Sequence, residues 1–162
     1  PSNMDPMEKE LTKLIDYCWE KDSITIDDVR AIVTEQPESR IFEMISGIAE
    51  KNPAKVMKNY HSIIADKSEK PLGILALITN QFRQMLWIKA LRSKNLSREE
   101  IRAKMKLRSD GQVYRISEVA QNFSEEQIND ILSDMIYYDE AIKQGNFSDR
   151  MAVEMLIVKY SK

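Results

Sequence analysis

Few residues in this chain have types and spacing that could do chemistry. One histidine, His61, and one cysteine, Cys18, stand 43 residues apart, too sparse a set for a zinc site. Nucleophilic catalysis would have to use His61 as its base. That residue lies mid-helix beside Tyr60 and reads as a surface or partly buried histidine. Cys18 follows Tyr17 on a helical pattern and reads as a small core residue. With no second cysteine it forms no intramolecular disulfide, which suits a reducing cytoplasm. The four glycines, at 47, 73, 111 and 145, are isolated, so no phosphate-cradling loop is written here. The paired carboxylates Asp27-Asp28 and Glu99-Glu100 fall in first helical turns, where they complement the helix dipole. The expectation is no catalytic residue, no metal and no cofactor.

What remains is charge. The net charge of −2 conceals alternating blocks. Residues 1–50 carry a net −7, 51–88 a net +4, 89–115 a net +6 and 118–150 a net −6. Such blocks neutralise one another within a fold or complement neighbours in an assembly. The basic block KALRSKNLSREEIRAKMKLRSDGQVYRI reads as two helices and a turn. Arg98, Arg102, Lys104, Lys106 and Arg108 are its candidates for nucleic-acid backbone contact. A helical DNA-binding regulator using segment 89–115 is therefore the alternative reading, against the plainer one of a solvated face.

The elements that must position these charges are helical. At 162 residues, with 43% apolar and 31% charged residues but 4 Gly and 5 Pro, the chain reads as soluble, helix-rich and turn-poor. No apolar run approaches a membrane span and no signal peptide opens it. The opening PSNMDP lacks an initiator Met, which reads as an excised fragment. A first helix covers Met7–Trp19, with Leu11, Leu14, Ile15 and Cys18 on one face. Thr25 caps a second, whose apolar side is Ile26, Val29, Ile32 and Val33. EQPESR (35–40) is the best linker. Helices follow over Ile41–Ala49, from Pro53 (capped by Asn52) to about Ala65, and from Pro71 to near Lys94. Ser97-Arg-Glu-Glu100 and Ser124-Glu-Glu-Gln127 are capping boxes. Between the helices they start, Val113–Asn122 reads as another, and Gly145 stops the one after Ser124. Ser148 starts the last helix, with Met151, Met155 and Val158 expected inward and Leu156 and Tyr160 nearby.

The stretch LALITNQFRQMLWIKAL (75–91) is the centre of this arrangement. Ile74, Leu75, Ile78, Phe82, Met85 and Leu86 share one face, while Leu77, Trp87, Ile88 and Leu91 gather on roughly the other. A helix apolar on two sides is normally sandwiched between others. Its charges then need partners. Arg83 and Lys89 are expected to pair with carboxylates of the last two helices, Asp139 and Glu154 foremost.

In order and spacing these pieces resemble the carboxy-terminal part of the bacterial DNA polymerase III δ subunit family. The resemblance rests on Glu10, Leu11, Lys13 and Leu14, on ITIDDV (24–29), IFEMISGIAEKN (41–52) and PAKVMKNYHSII (53–64), and on the central helix. It ends on Asp139, Lys143 and Gly145 and on Ala152, Glu154 and Leu156. It covers about residues 8–160; the polar SDG turn at 109–111 departs from it. The resemblance implies an all-α fold, a helical bundle of the clamp-loader collar type (38–162) behind a short AAA+-type lid remnant (1–36). It also implies a non-catalytic, cytoplasmic scaffold whose partners are the motor and δ′ subunits, met through the collar. The sliding clamp would be met only by an amino-terminal domain outside this sequence, DNA indirectly, and no membrane at all. An exposed apolar face on helices 8–34 would follow from the absence of neighbouring lid helices.

Overall fold

The computed structural model describes residues 4–32, 37–65 and 71–161. Among these, every regular element is an α-helix: α1 Met4–Tyr17, α2 Ile26–Ile32, α3 Pro37–Ala49, α4 Pro53–Ala65, α5 Pro71–Arg92, α6 Arg98–Met105, α7 Asp110–Ala120, α8 Glu125–Lys143 and α9 Asp149–Tyr160. The chain divides into two compact units, residues 1–36 and 37–162.

Local chemistry sets most of the boundaries. Ser97 and Ser124 form capping boxes, each hydroxyl accepting from the N3 backbone while Glu100 or Gln127 reaches back to the cap N–H. Thr25 and Asp28 do the same for α2. Asn52 accepts from Lys55 N–H at 3.0 Å to start α4, and Ser148 accepts from Met151 N–H at 3.2 Å to start α9. Helix α8 ends in a Schellman turn: Gly145 takes φ +76°, its N–H reaches Ile142 O and the Asn146 N–H reaches Ala141 O, both at 2.9 Å.

Two boundaries differ from the sequence reading. Of the linker 35–40, residues 35 and 36 lie outside the described residues, whereas 37–40 form the first turn of α3, with Pro37 at the helix start rather than in a connection. The SDG segment is not a free turn either. Ser109 is the N-cap of α7, accepting from Gln112 N–H, and Asp110 and Gly111 are its first helical residues.

In the first unit Leu14 and Cys18 are buried, but Met7, Leu11 and Ile15, one turn apart on α1, are exposed. The second unit has a single core centred on α5, which packs against α3, α6, α7, α8 and α9. Ile74, Leu75, Ile78, Phe82, Met85, Ile88 and Leu91 are all buried. The two stripes of the sequence reading are thus one wide buried arc, with Leu77 and Leu86 half-buried at its edges and Trp87 alone turned outward. The Phe82 ring meets Phe123 edge-on, centroids 5.5 Å apart at 83°. Helices α3 and α4 approach closely at Gly47, where a Cβ would stand 2.9 Å from Val56 Cγ2 and 3.1 Å from its backbone nitrogen.

Candidate partner-binding surface

The ion-pair candidates come from α5, α8 and α9, and the structure distributes them differently from the expectation. Lys89 lies half-buried at the C-terminal end of α5 and donates to Ala120 O at 3.1 Å. Ala120 is the last residue of α7, so the ammonium shares a helix-end carbonyl with Phe123 N–H and meets the negative end of a helix dipole. No carboxylate is needed. Asp139 is taken by its own i+4 neighbour Lys143, at 2.6 Å. Arg83 stands exposed at the rim of an open groove between α5 and α8, lined by Leu75, Met135 and Ile136, and makes no ion pair among the described residues. The pairing of Arg83 and Lys89 with Asp139 and Glu154 is therefore corrected: Lys143 and Arg150 take the two carboxylates, a helix end takes Lys89, and Arg83 stays in solvent.

Glu154 instead ties α9 to α4. It accepts from Tyr60 Oη and from Arg150 Nε, each at 2.8 Å. Arg150 first, and then Tyr60, holds the Glu154 carboxyl below the usual carboxylate range. A second tie joins α8 to α9: Asp134 accepts from Lys159 Nζ and from Tyr160 Oη, both at 2.5 Å. Burial would raise the Asp134 carboxyl, but these two donors outweigh it and hold it low. Both phenols move the other way. Burial first, then a carboxylate partner, pushes Tyr60 and Tyr160 each up to about 12.

The sign of the pH effect follows. In the unfolded chain a phenol ionises near ~10, whereas in the fold Tyr60 and Tyr160 stay neutral until about 12. Their stabilising effect is complete below pH ~10 and is lost as pH rises towards ~12. We expect the melting temperature to fall less steeply over that window in Tyr60→Phe/Tyr160→Phe than in the parent. Parallel curves would show that the two phenols are not linked to folding.

With α9 anchored this way, Leu156 goes inward as the sequence assignment has it, but the three residues expected beside it do not. Ala152, Val153, Leu156 and Ile157 fill the core, while Met151, Met155 and Val158 face solvent at 50%, 47% and 58% exposure. These three form an i, i+4, i+7 stripe. Apolar on both sides, the helix offered periodicity no way to choose, whereas the Tyr60 and Asp134 ties decide which side goes in. Trp87 (62% exposed) on α5 and Ile136 and Tyr137 on α8 are further large apolar residues left outside. Exposed apolar stripes of this kind are what protein–protein contacts use. Among the described residues no group of three His, Cys, Asp or Glu side chains could hold a metal ion, and no helix is long and apolar enough to cross a membrane. His61 is exposed and Cys18 buried and free.

Residues 38–160 match the family model described as the DNA polymerase III delta subunit, C-terminal domain. The chain belongs to that family. It is 27% identical over 154 residues to the DNA polymerase III subunit delta of Bacillus subtilis (strain 168), covering 95% of this chain and 44% of that one. It also superposes on the solved Bacillus subtilis DNA clamp loader delta protein with a TM-score of 0.86 at 26% identity, over 94% of this chain and 44% of that one. The chain thus spans under half the length of these relatives.

Within this δ-family domain the remaining candidates lie on α6 and its connection to α7. Arg102 pairs with Asp110 at 3.4 Å, and the Arg98 guanidinium lies 5.2 Å over the Tyr114 ring. Lys104 flanks Glu100, whose carboxyl is held low chiefly by the Ser97 backbone N–H. Lys106, in the left-handed conformation at φ 52°, caps α6, and Arg108 follows in the connection. Neither Lys106 nor Arg108 has a carboxylate within ion-pair distance among the described residues.

Proposed function

We propose that residues 38–162 are a clamp-loader collar, which holds a δ subunit in the assembly that places the sliding clamp on DNA. In this reading its partners are the collars of the motor and δ′ subunits. Residues 1–36 are the C-terminal part of an AAA+-like helical lid, and the exposed Met7, Leu11 and Ile15 stripe on α1 fits a helix that normally packs against other lid helices. The chain itself catalyses nothing. Contact with the clamp belongs to the amino-terminal part of the longer δ subunit, contact with DNA is made through the assembly, and the setting is the cytoplasm.

The observation that carries this reading is the apolar surplus of a δ-family domain whose core is already full. The outward stripe of α9, with Trp87 on α5, is the kind of buried-on-assembly surface that a ring of packed subunits needs. Its test is the mass, by light scattering after size exclusion, of this chain mixed with motor and δ′ subunits from the same organism. A discrete mixed assembly is expected. If full-length δ assembles under the same conditions while this chain stays monomeric, the determinant lies elsewhere and the reading fails.

A further inference from the structure

We propose that Met151 and Met155 form an oxidation-sensitive site, at which conversion to the sulfoxides releases this chain from its partners. The proposal rests on the reading of α9 as a docking face. The sulfur atoms of the chain differ sharply in access. Met44, Met85, Met135 and the single thiol, Cys18, are buried in packed cores, which keeps an oxidant from them. Met151 and Met155 are 50% and 47% exposed, and four residues of helix set them about 6 Å apart along the axis. Met7 and Met57 are exposed as well, but on α1 and α4. The α9 face is thus a contact stripe in which two of three side chains are reactive.

The chemistry changes the one property that suits these side chains to a contact. A peroxide transfers one oxygen to the thioether. The O–O bond breaks, an S–O bond forms, the sulfur loses two electrons, and the other peroxide oxygen leaves as water. A flexible apolar side chain becomes a polar one with a strong acceptor. On the free chain water solvates the new oxygens, so the fold is untouched. Inside a contact they are desolvated, which is costly without a donor. The two cations of α9 are poorly placed to donate, since Arg150 is paired with Glu154 and Lys159 with Asp134. The step is reversible: methionine sulfoxide reductases remove the oxygen as water while a thiol pair closes to a disulfide. Once the face is docked the sulfurs are covered, so the site responds in the unassembled chain.

The test treats this chain alone with hydrogen peroxide, removes the oxidant, maps the products by peptide mass spectrometry, and adds untreated motor and δ′ subunits. Met151 and Met155 should be converted while Met44, Met85 and Met135 stay reduced, with the circular dichroism unchanged. The dissociation constant of the mixed assembly should rise at least about tenfold, the effect of burying an unpaired polar group. Methionine sulfoxide reductases should restore it. Met151→Leu/Met155→Leu should assemble as the parent does before treatment and keep that affinity after it. Met7→Leu/Met57→Leu should stay as sensitive as the parent. Equal assembly by the treated and untreated parent overturns the switch and leaves the docking face standing. Equal sensitivity of Met151→Leu/Met155→Leu also overturns it, by moving the effect to another methionine. If the untreated chain stays monomeric where full-length δ assembles, the docking face itself fails and the switch falls with it.

Discussion

Phe82→Ala should destabilise the 37–162 unit by about 3–5 kcal/mol, the usual cost of emptying a buried phenylalanine site. The upper part of that range is the expectation here. Phe82 is 0% exposed, and it sits on the one helix that touches α3, α6, α7, α8 and α9. A void at that crossing cannot be closed by moving one neighbour, because each neighbour is also held by the others. The edge-on contact with Phe123, in the connection between α7 and α8, is lost as well. In urea unfolding the midpoint should drop with little change in slope, the mark of lost stability rather than an altered unfolded state. Trp87→Ala on the same helix is the comparison. That side chain is 62% exposed, and its removal should shift stability by no more than about 0.5 kcal/mol. Equal losses from the two substitutions would mean that α5 is not organised around a buried arc and an exposed ridge.

The features legible in the sequence are those decided within a few residues. The Ser97, Ser124 and Ser148 caps and the Gly145 turn follow from donor and acceptor groups three or four positions apart, with no tertiary context to override them. The all-helical class and the central place of α5 were equally readable, because a helix apolar around most of its circumference has to be surrounded. What failed needed knowledge of a distant neighbour. The sequence offers Lys89 a carboxylate, but its partner is the carbonyl of Ala120, which carries no formal charge and is within reach because α7 ends there. Glu154 was assigned a base from α5. Arg150 was readable at i−4, whereas its bond to Tyr60 spans 94 residues. On α9 two apolar faces compete for the core, and Met151, Met155 and Val158 are left exposed while Leu156, expected beside them, is buried.

That exposed stripe sets the second large effect. If α9 is the collar's docking face, as the proposed assembly requires, Met155→Glu should leave the isolated chain folded and cripple the assembly. Met155 is the middle of the Met151, Met155 and Val158 stripe and already meets solvent, at 47% exposure. A glutamate there loses no core contact, so stability should change by about 0.5 kcal/mol or less. In a formed interface the same carboxylate would be desolvated among apolar groups without a partner, a central hot-spot loss of at least about 2 kcal/mol. At about 1.4 kcal/mol per tenfold, the dissociation constant with motor and δ′ subunits should rise about 30-fold or more. Ala103→Glu, which brings the same charge to the exposed side of α6, should assemble as the parent does. Sedimentation of the three mixtures separates the outcomes. Intact assembly by Met155→Glu would remove α9 from the interface, since a buried carboxylate at the centre of such a stripe cannot be neutral in its effect.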